Sequence, residues 1–347
     1  MNNSVVSHKS LDLYPIDYPF ETLIGRIKKG KLRLNPEFQR KYKWDKEGWQ
    51  RASRFIESCL MRIPLPSCYF AEDQEGNHFV IDGVQRLTTV NRFFADEFPL
   101  EELTAFKDLE GKYFSQLGDY QSELENTTIR CIILRKTNPK YLVREIFSRL
   151  NQGAVQLSSQ EIRHALYGGS FDDLLTELAE RDEIKNFKLG KSGQSKKDSL
   201  EAEEQVLRYF ALRDSLDVYQ GRLSKYLDEY MERKQNISEQ EINEFREEFH
   251  QTLDKCVAVF GDTVFVNTTK KRTRQSIIYY DLLMHSFRTR SKKSLTSNKN
   301  VIQSKFQELC QEPEFRSSIN SGSQNKNSIL RRRKMWEEKL EEVYSDE

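Results

Sequence analysis

The residues with the clearest capacity for chemistry lie at the end of a short apolar stretch and directly after it. Asp82 and Gly83 close that stretch, and Gln85, Arg86 and Thr88 follow on a predicted helix. The first N–H groups of a helix have no partner within it and its dipole is positive there, so this end attracts anions. Gly83 lets a phosphate approach the backbone, Arg86 can make forked bonds to it, and Asp82 can hold Mg²⁺ or a polarised water. The spacing indicates a phosphate site, although an ordinary strand, turn and helix with surface polar residues also fits it.

Two further polar groups lie on either side of this motif in the chain. Gln39 and Arg40 occupy a turn flanked by aromatic residues. Asn151 follows one predicted helix, and Glu161 and Arg163 lie on the next. Taken alone, the first group also fits a loop that buries its aromatic neighbours, and the second fits the surface of a helix pair.

The C-terminal half contains a basic stretch between residues 270 and 293, in which Asp281 is the single acid. Interleaved basic and aromatic residues can contact the phosphates and bases of a nucleic acid. A solvated helix flank with a lysine-rich loop is the alternative. A second basic run, 331–334, is followed at once by acids with which it can pair. The candidate nucleic-acid contacts are Lys270, Lys271, Arg272, Arg274, Arg288 and Arg290.

The composition limits the classes of protein that remain. The 347 residues carry a net charge of +1, which excludes uniform electrostatic binding of the histone kind and requires a local patch for any nucleic-acid contact. No apolar run approaches the roughly 18 residues of a membrane span, and the N-terminus has no signal-peptide core. The five cysteines are widely spaced and form no CxxC pair, so we expect reduced thiols in a cytoplasmic protein.

Hydrophobic periodicity places these motifs on elements. We predict an α+β unit over residues 1–185 and a helical unit over 186–347, because strand signals nearly vanish after residue 201. Ser158 and Glu161 have the spacing of a capping box. The predicted strands are 32–44 (irregular around Pro36), 68–72, 77–82 and 128–134. The predicted helices are 19–29, 46–62, the segment that begins at Gly83, 140–153, 158–169, 201–232, 238–259, 275–288 and 299–311.

Four ordered motifs over residues 15–170 together resemble one family. They are NPEFQRKYKW, IESCLMRIPLP, IDGVQRLTTVNRFF and IFSRLNQGAVQLSSQEIRHA. This pattern is similar to the N-terminal domain of GmrSD-type restriction enzymes, the ParB/sulfiredoxin-like "DGQQR" domain that also occurs in SspE-like phage-defence proteins. The resemblance continues more weakly through VFGDTVFV and RQSIIYYDLLM in the helical half, where it points to stand-alone members.

The resemblance implies a ParB/sulfiredoxin-like fold that binds and hydrolyses a nucleoside triphosphate, GTP or ATP, with Mg²⁺, and so regulates restriction of foreign DNA. Carried over by motif, Asp82, Gln85, Arg86 and Gln39 are the expected catalytic residues, with Asp82 at the metal. The expected nucleotide-binding residues are Gly83, Arg40, Thr88, Asn151, Glu161 and Arg163.

The sequence departs from the family pattern in three ways. Val84 replaces the first glutamine of DGQQR, so any role of that amide is lost. A sulfiredoxin-type reductase needs a cysteine in the phosphate-binding turn, and the chain has none next to Gly83. The HNH nuclease domain that is often fused in this family is not recognisable, because the histidines form no Asp-His metal frame. We expect His164 to be a helix-packing residue and His78 to be exposed.

Three hypotheses follow for the function. The first is a nucleoside triphosphatase of a prokaryotic restriction or anti-phage defence system, which couples the nucleotide state to the helical half and so to DNA or to a partner nuclease. The second is a non-hydrolysing, antitoxin-like regulator that restrains a partner effector. The third is a DNA-nicking nuclease that uses the ParB-like fold directly. The expected partners are DNA and an effector protein, with no membrane; the oligomeric state is left open.

Overall fold

In the computed structural model the chain forms two compact units, Met1–Leu157 and Ser158–Glu347. The structure describes residues 11–34, 42, 44–45, 48–73, 75–150, 158–187, 200–213, 216–269, 274–320 and 322–345. Six of the predicted site residues lie outside the described residues. They are Gln39, Arg40, Asn151, Lys270, Lys271 and Arg272.

The first unit is built on a five-stranded mixed sheet in the order β1-β5-β3-β4-β2. β1 pairs with β5 and β3 with β4 in antiparallel fashion, whereas β3 and β5, and β2 and β4, run parallel. The central strands β3, β4 and β5 are short and rich in β-branched or aromatic residues, which suits a half-buried pleated surface. The strands are β1 Leu13–Pro19, β2 Leu32–Arg33, β3 Cys68–Glu72, β4 His78–Asp82 and β5 Thr128–Leu134.

Helices of the first unit bury one apolar face each in a common core with the sheet. Leu23 of α1, Ile56 of α2 and Val90 of α3 are each at most 1% exposed and belong to the same buried cluster as Phe70 on β3. The spacing of these apolar residues follows the helical period, so that a single face is buried. The helices are α1 Phe20–Lys28, α2 Gln50–Leu60, α3 Val84–Phe94, α4 Tyr120–Asn126 and α5 Lys140–Leu150.

The regular secondary structure described in the second unit is helical, apart from one isolated bridge between Val266 and Gln275. Its core is aromatic, with Phe210, Tyr280 and Trp336 fully buried. Its helices are α6 Ser159–Tyr167, α7 Ser170–Ala179, α8 Asp182–Lys185, α9 Glu201–Leu212, α10 Leu223–Lys234, α11 Glu239–Phe260, α12 Ile277–Phe287, α13 Lys292–Ser297, α14 Lys299–Gln311, α15 Pro313–Asn320 and α16 Lys326–Ser345.

The α+β prediction is confirmed, since a sheet-containing unit precedes a helical one. The compact units divide at 157/158, whereas the sequence prediction divides the chain at 185/186. The reason is that α6 and α7 bury their apolar faces in the helical core. Phe171 of α7, for example, lies edge-on to Phe210 of α9 at a centroid distance of 5.8 Å.

The sequence prediction missed strand β1 and misplaced His78. β1 contains Pro15 and Pro19, residues that are confined to edge strands, and it lies at the edge of the sheet. His78 is only 8% exposed, because its ring lies near Phe70 and its Nδ1 is 3.2 Å from an Nη of Arg26. Among the described helices, none is both long and apolar enough to cross a bilayer.

Candidate functional site

Strand β4 delivers Asp82 to the start of helix α3, and Gly83 forms the junction. Gly83 has a φ of +101°, a left-handed conformation that favours glycine, and it is the N-cap residue of α3. A Cβ at this position would lie 2.4 Å from the Sγ of Cys68. The chain therefore requires glycine here both for its backbone angle and for its close approach to strand β3. Gly83 also has no side chain with which to cap the first N–H groups of α3, which leaves that end of the helix suited to an anion.

Arg86 reaches back from the first turn of α3 to three oxygen atoms of the protein. Its Nη2 donates to the Oδ2 of Asp82 at 2.7 Å and to the carbonyl oxygen of Ser67 at 3.3 Å, and its Nη1 donates to the carbonyl of Pro66. The guanidinium is 13% exposed, whereas the carboxylate of Asp82 is 39% exposed. Arg86 thus fixes the carboxylate of Asp82 at the open end of the strand. A phosphate would have to compete with the oxygens that this guanidinium already contacts.

A pair of cysteines lies beneath this junction. Cys68 and Cys131 are register partners on the parallel strands β3 and β5, and both are fully buried. A hydrogen bond from Cys131, together with the charge of Arg86, lowers the pKa of the Cys68 thiol, and the same bond raises the pKa of Cys131. No cysteine is next to Gly83 in the sequence, but one lies next to it in the folded structure. Cys68 of the neighbouring strand β3 contacts Gly83, and its separation of 15 positions in the sequence gave no sign of this contact.

The inner face of α3 carries two threonines. Thr89 Oγ1 donates to the carbonyl of Gln85 at 2.8 Å and lies 2.7 Å from the hydroxyl of Tyr42, whose pKa burial raises to about 12. Thr88, a predicted nucleotide contact, is 4% exposed, and its Oγ1 has no hydrogen-bond partner among the described residues. Thr88 therefore faces the interior of the unit, whereas Gln85 is half-buried.

Arg92, one turn further along α3, fixes the segment that follows the predicted Gln–Arg turn. Its guanidinium bonds to Asp45 at 3.0 Å and to Glu97 at 2.6 Å. It also lies over the rings of Tyr42 and Trp49, at 5.1 and 4.7 Å from their centroids. Cation–π contacts and ion pairs of this kind hold the described residues around 42–49 against α3.

Glu161 and Arg163, two predicted nucleotide contacts, are fully buried in the helical unit. The Oε2 of Glu161 accepts from the backbone N–H of Ser158 at 2.6 Å, which completes the predicted capping box of α6. Arg163 donates to Asp228 at 2.8 Å and to Glu204 at 2.7 Å. These contacts join three helices of the unit, so both residues have structural partners there.

Sequence reasoning missed a contact of His164. Its Nδ1 lies 2.5 Å from the Oδ2 of Asp172, whose pKa is raised by burial, although His164 opposes that rise. The two residues join the end of α6 to the first turn of α7. The two residues are eight positions apart with Gly168 and Gly169 between them, so helical periodicity does not predict their contact.

The described basic residues are less available to a ligand than the sequence suggests. Arg290 donates to the carbonyl of Ser286 at 2.7 Å and pairs with Glu337, and Arg288 lies 3.9 Å from Glu248. Arg274 is exposed. In the second run, Lys334 pairs with Glu338 of its own helix, as predicted, whereas Arg331 pairs with Glu314 of α15.

No group of three or more His, Cys, Asp or Glu side chains converges as a metal site among the described residues. Mg²⁺, however, is commonly held by one or two carboxylates together with substrate phosphates. The half-exposed carboxylate of Asp82 fits that limited role, because only its Oδ2 contacts Arg86 in the described part of the chain.

The comparison with protein families finds a match for most of the first unit and for helix α6. Residues 20–168 match the family described as the GmrSD restriction endonuclease, N-terminal domain. The match contains α3, the Asp82–Gly83–Arg86 junction and all strands except β1. No curated protein and no solved structure is similar enough to the chain to count as a match. Over these residues the chain is therefore similar to the N-terminal domain of that family.

Proposed function

We propose that this chain, which carries a GmrSD restriction endonuclease N-terminal domain over residues 20–168, is the nucleoside-triphosphate-hydrolysing component of a prokaryotic restriction or anti-phage defence system. The observation that carries the proposal is the half-exposed carboxylate of Asp82, held by Arg86 at the uncapped start of α3. An acid and a helix N-terminus that begins at a glycine without a side-chain cap are parts that phosphoryl-transfer sites use.

Each part has a separate role in the proposed site. The phosphates lie against the backbone at Gly83, whose left-handed φ favours glycine, and the positive end of the α3 dipole stabilises their charge. Arg86 is a positioning residue that holds the carboxylate of Asp82. Gln85 orients the attacking water, which Asp82 helps to polarise.

Mg²⁺ supplies neutralisation of phosphate charge in such sites, and Asp82 is the residue that would hold it here. Gln39 and Arg40 belong to the proposed site through their motif. In support, the described residue that follows them, Tyr42, is hydrogen-bonded to Thr89 on α3. For Asn151, Glu161 and Arg163 a nucleotide contact is a prediction from the motif alone. The side chains of Glu161 and Arg163 are buried and contact residues of the helical unit.

A second candidate is a regulator that binds nucleotide without hydrolysing it and restrains an effector protein. One observation favours it: the guanidinium of Arg86 is already engaged by two carbonyls and a carboxylate, which leaves less charge for a transition state. A chain that nicks DNA itself is the third candidate. Turnover and nicking assays separate the three.

The proposal is tested by phosphate release from the full chain with ATP, GTP, CTP or UTP and Mg²⁺, with and without duplex DNA. Turnover of one or more nucleotides is the expected result, and DNA is expected to change its rate. Binding of nucleotide without turnover under every condition would contradict the proposed hydrolysis and support the non-hydrolysing regulator instead. Metal-dependent nicking of the DNA without nucleotide turnover would support the third candidate instead.

A further inference from the structure

Five basic residues lie together where helix α1 ends and strand β2 begins. We call Arg26, Lys28, Lys29, Lys31 and Arg33 the α1–β2 basic surface. Arg26 is half-buried and the other four are exposed. From residue 22 to residue 44 the sequence has eight lysines and arginines and one acid, in a chain whose net charge is only +1. Positive charge is therefore concentrated in this part of the first unit.

Backbone hydrogen bonds hold the turn of this surface in place. The N–H of Gly30 donates to the carbonyl of Ile27 at 3.0 Å, and the N–H of Lys31 donates to the carbonyl of Arg26 at 2.9 Å. This is the Schellman pattern of a helix end, and Gly30 has the left-handed φ, +67°, that it requires. The carbonyl of Lys31 then accepts from the N–H of His78 on β4 at 3.0 Å. The exposed lysines thus extend from a fixed turn.

Four of the five residues make no ion pair with an acid in the part of the chain that the structure describes. Arg33 is the exception, since its Nη2 lies 3.7 Å from the Oδ2 of Asp73, but its side chain is still 59% exposed. The Oδ1 of Asp73 also accepts from the backbone N–H groups of Glu75 and Asn77. This one carboxylate therefore offsets only a small part of the charge.

Arg26 contacts a neutral imidazole rather than an acid. Its Nη2 lies 3.2 Å from the Nδ1 of His78, and its guanidinium lies over the ring of Tyr18 at 5.7 Å. Burial and the charge of Arg26 lower the pKa of His78 from 6.5, so the ring is uncharged at pH 7 and accepts this bond. The Nε of Arg26 is buried without a hydrogen-bond partner among the described residues. None of these contacts neutralises the guanidinium.

The residues of the first unit that lie outside the described ranges do not balance this charge. Their sequence contains two acids, Glu37 and Glu47. It contains five cations, which are Lys9, Arg40, Lys41, Lys43 and Lys46. Two acids cannot neutralise these cations and the basic surface together, wherever they lie.

Stabilisation of the α1 dipole accounts for only part of the charge. Cations near the end of a helix offset about half an elementary charge. The surface carries five cationic side chains, and backbone N–H groups already donate to the carbonyls of Arg26 and Ile27. The remaining charge is available to an anionic partner that reaches the turn from solvent.

The residue types indicate the kind of partner. Lysine is depleted in interfaces between proteins, so a surface with three exposed lysines suits a protein partner poorly. Helices that lie on membranes expose bulky apolar residues to the lipid, whereas Leu23, Ile24 and Leu32 of this region are buried in the core. A nucleic-acid backbone carries closely spaced phosphates and is bound by exposed cations without apolar contacts.

We propose that the α1–β2 basic surface binds the phosphate backbone of duplex DNA. The duplex carries about one negative charge for each 1.7 Å of its axis, so several cations on one turn can each meet a phosphate. Contacts of this kind position a protein on DNA and carry no sequence information themselves. Only the choice of DNA as the nucleic acid rests on the proposed function, and the surface does not depend on nucleotide hydrolysis at Asp82.

The test compares two variants of the full chain that each remove three positive charges. The first removes the lysines of the surface and is Lys28→Gln/Lys29→Gln/Lys31→Gln. The matched control removes three exposed arginines that each pair with an acid and is Arg54→Gln/Arg62→Gln/Arg130→Gln. Binding of a short DNA duplex is measured by fluorescence anisotropy over a range of salt concentrations, without nucleotide or Mg²⁺.

We expect the lysine variant to bind DNA at least about tenfold more weakly, and the slope of log affinity against log salt to become shallower by about 2–3, the value for three lost phosphate contacts. The control should change the affinity by less than about twofold, because its arginines are already paired. Circular dichroism checks that both variants are folded. Lys28→Gln/Lys31→Gln replaces the triple variant should the latter fail to fold.

Equal DNA affinities of the lysine variant and the control would overturn the proposal, as would a wild-type chain that does not bind the duplex. A second arm measures cosedimentation with vesicles of phosphatidylcholine and phosphatidylserine. Binding to vesicles but not to DNA, lost in the lysine variant, would overturn the proposal in favour of a lipid surface. Because the DNA assay contains no nucleotide, DNA binding through this surface by a chain without nucleotide turnover would support the inference while contradicting the proposed hydrolysis.

Discussion

Glu57 of α2 is a buried carboxylate that organises one loop of the first unit. It is 4% exposed and accepts from the backbone N–H groups of Thr104, Ala105 and Phe106 at 2.8, 2.6 and 3.2 Å, and from the Thr104 hydroxyl. These bonds to the charged form hold the pKa of Glu57 below its ordinary value even though burial opposes them. The loop thus closes around an ionised carboxylate.

Glu57→Gln is expected to lower the free energy of unfolding at pH 7 by about 1–3 kcal/mol, because a neutral amide accepts these bonds more weakly and brings two N–H donors that need acceptors. Because the pKa of Glu57 is lower in the folded chain than its ordinary value of 4.5, the ionised carboxylate stabilises the fold above pH 4.5. This stabilisation is lost as the pH falls through the lower pKa of the folded state. The difference between variant and wild type should therefore shrink below pH 4.5. Urea denaturation at several pH values measures it.

Glu123→Gln is the control for that measurement, since its carboxylate is 45% exposed and lies 3.8 Å from Arg62. It should change the stability by less than about 1 kcal/mol at every pH. An equal loss in the two variants would show that the bonds to the loop do not stabilise the fold.

We predict that Gly83, the glycine of the proposed site, tolerates replacement poorly. Gly83→Ala combines a strained φ of +101° with a Cβ 2.4 Å from Cys68 Sγ, and should cost roughly 2–5 kcal/mol of stability. Gly76→Ala is the matched control, because Gly76 has a φ of +79° and nothing within 4 Å of the added Cβ. It should cost about 1–2 kcal/mol. Thermal denaturation compares the two.

Cys68→Ala in the Gly83→Ala background should recover part of the loss, since it removes the nearest atom. If the double variant were no more stable than Gly83→Ala, the contact between the glycine and the thiol would not be the cause.

The elements show which features a sequence pattern can predict. β5, Thr128–Leu134, and α14, Lys299–Gln311, have the bounds that their apolar patterns predict, because each pattern is uninterrupted. β1 was missed because its two prolines argue against a strand. Its position at the sheet edge depends on pairing with β5, which is distant in the sequence. The predicted helix 201–232 is two helices in the structure, α9 and α10.

The candidate site was predicted in its residue types but not in its contacts. Asp82, Gly83 and Arg86 occupy the predicted strand, turn and helix. The bonds from Arg86 to the carbonyls of Pro66 and Ser67, however, depend on how α3 lies against β3. No local pattern contains that information, and the approach of Cys68 to Gly83 was hidden for the same reason.

Arg163 is predicted to be a main structural element of the α6–α10 contact. Arg163→Ala should destabilise the chain by about 3–5 kcal/mol, because it removes the buried guanidinium that pairs with both Asp228 and Glu204. Arg246→Ala breaks a half-exposed pair with Glu177 and should cost no more than about 1 kcal/mol. Urea denaturation of both variants makes the comparison. Similar losses would show that the Arg163 contacts add little.

At the scale of the whole molecule, the boundary between the units can be tested directly. A fragment of residues 158–347 retains Tyr167, Phe171 and Leu174, which are buried in the helical core, whereas a fragment of residues 186–347 lacks them. We expect the first fragment to unfold cooperatively on heating and the second to be aggregated or to lack a thermal transition. Circular dichroism and gel filtration report both properties. Cooperative unfolding of the shorter fragment would favour the boundary at 185/186.

The family match covers residues 20–168 and therefore extends from the sheet-containing unit into α6 of the helical one. The matched segment and the compact units of the chain do not share a boundary. Helix α6, with its capping box and the buried Arg163, belongs to the matched domain by sequence and to the helical unit by its contacts.

The most direct test of the central claim is the rate of phosphate release by the full chain carrying Asp82→Asn, relative to Asp119→Asn, an exposed acid at the start of α4 that caps nothing. The assay uses the nucleotide that the wild-type chain turns over best, with Mg²⁺. We predict that Asp82→Asn lowers turnover by at least about 100-fold while its melting temperature stays close to that of the wild type, and that Asp119→Asn is unaffected. Equal turnover in the two variants would contradict the assignment of Asp82 and, with it, the proposed site.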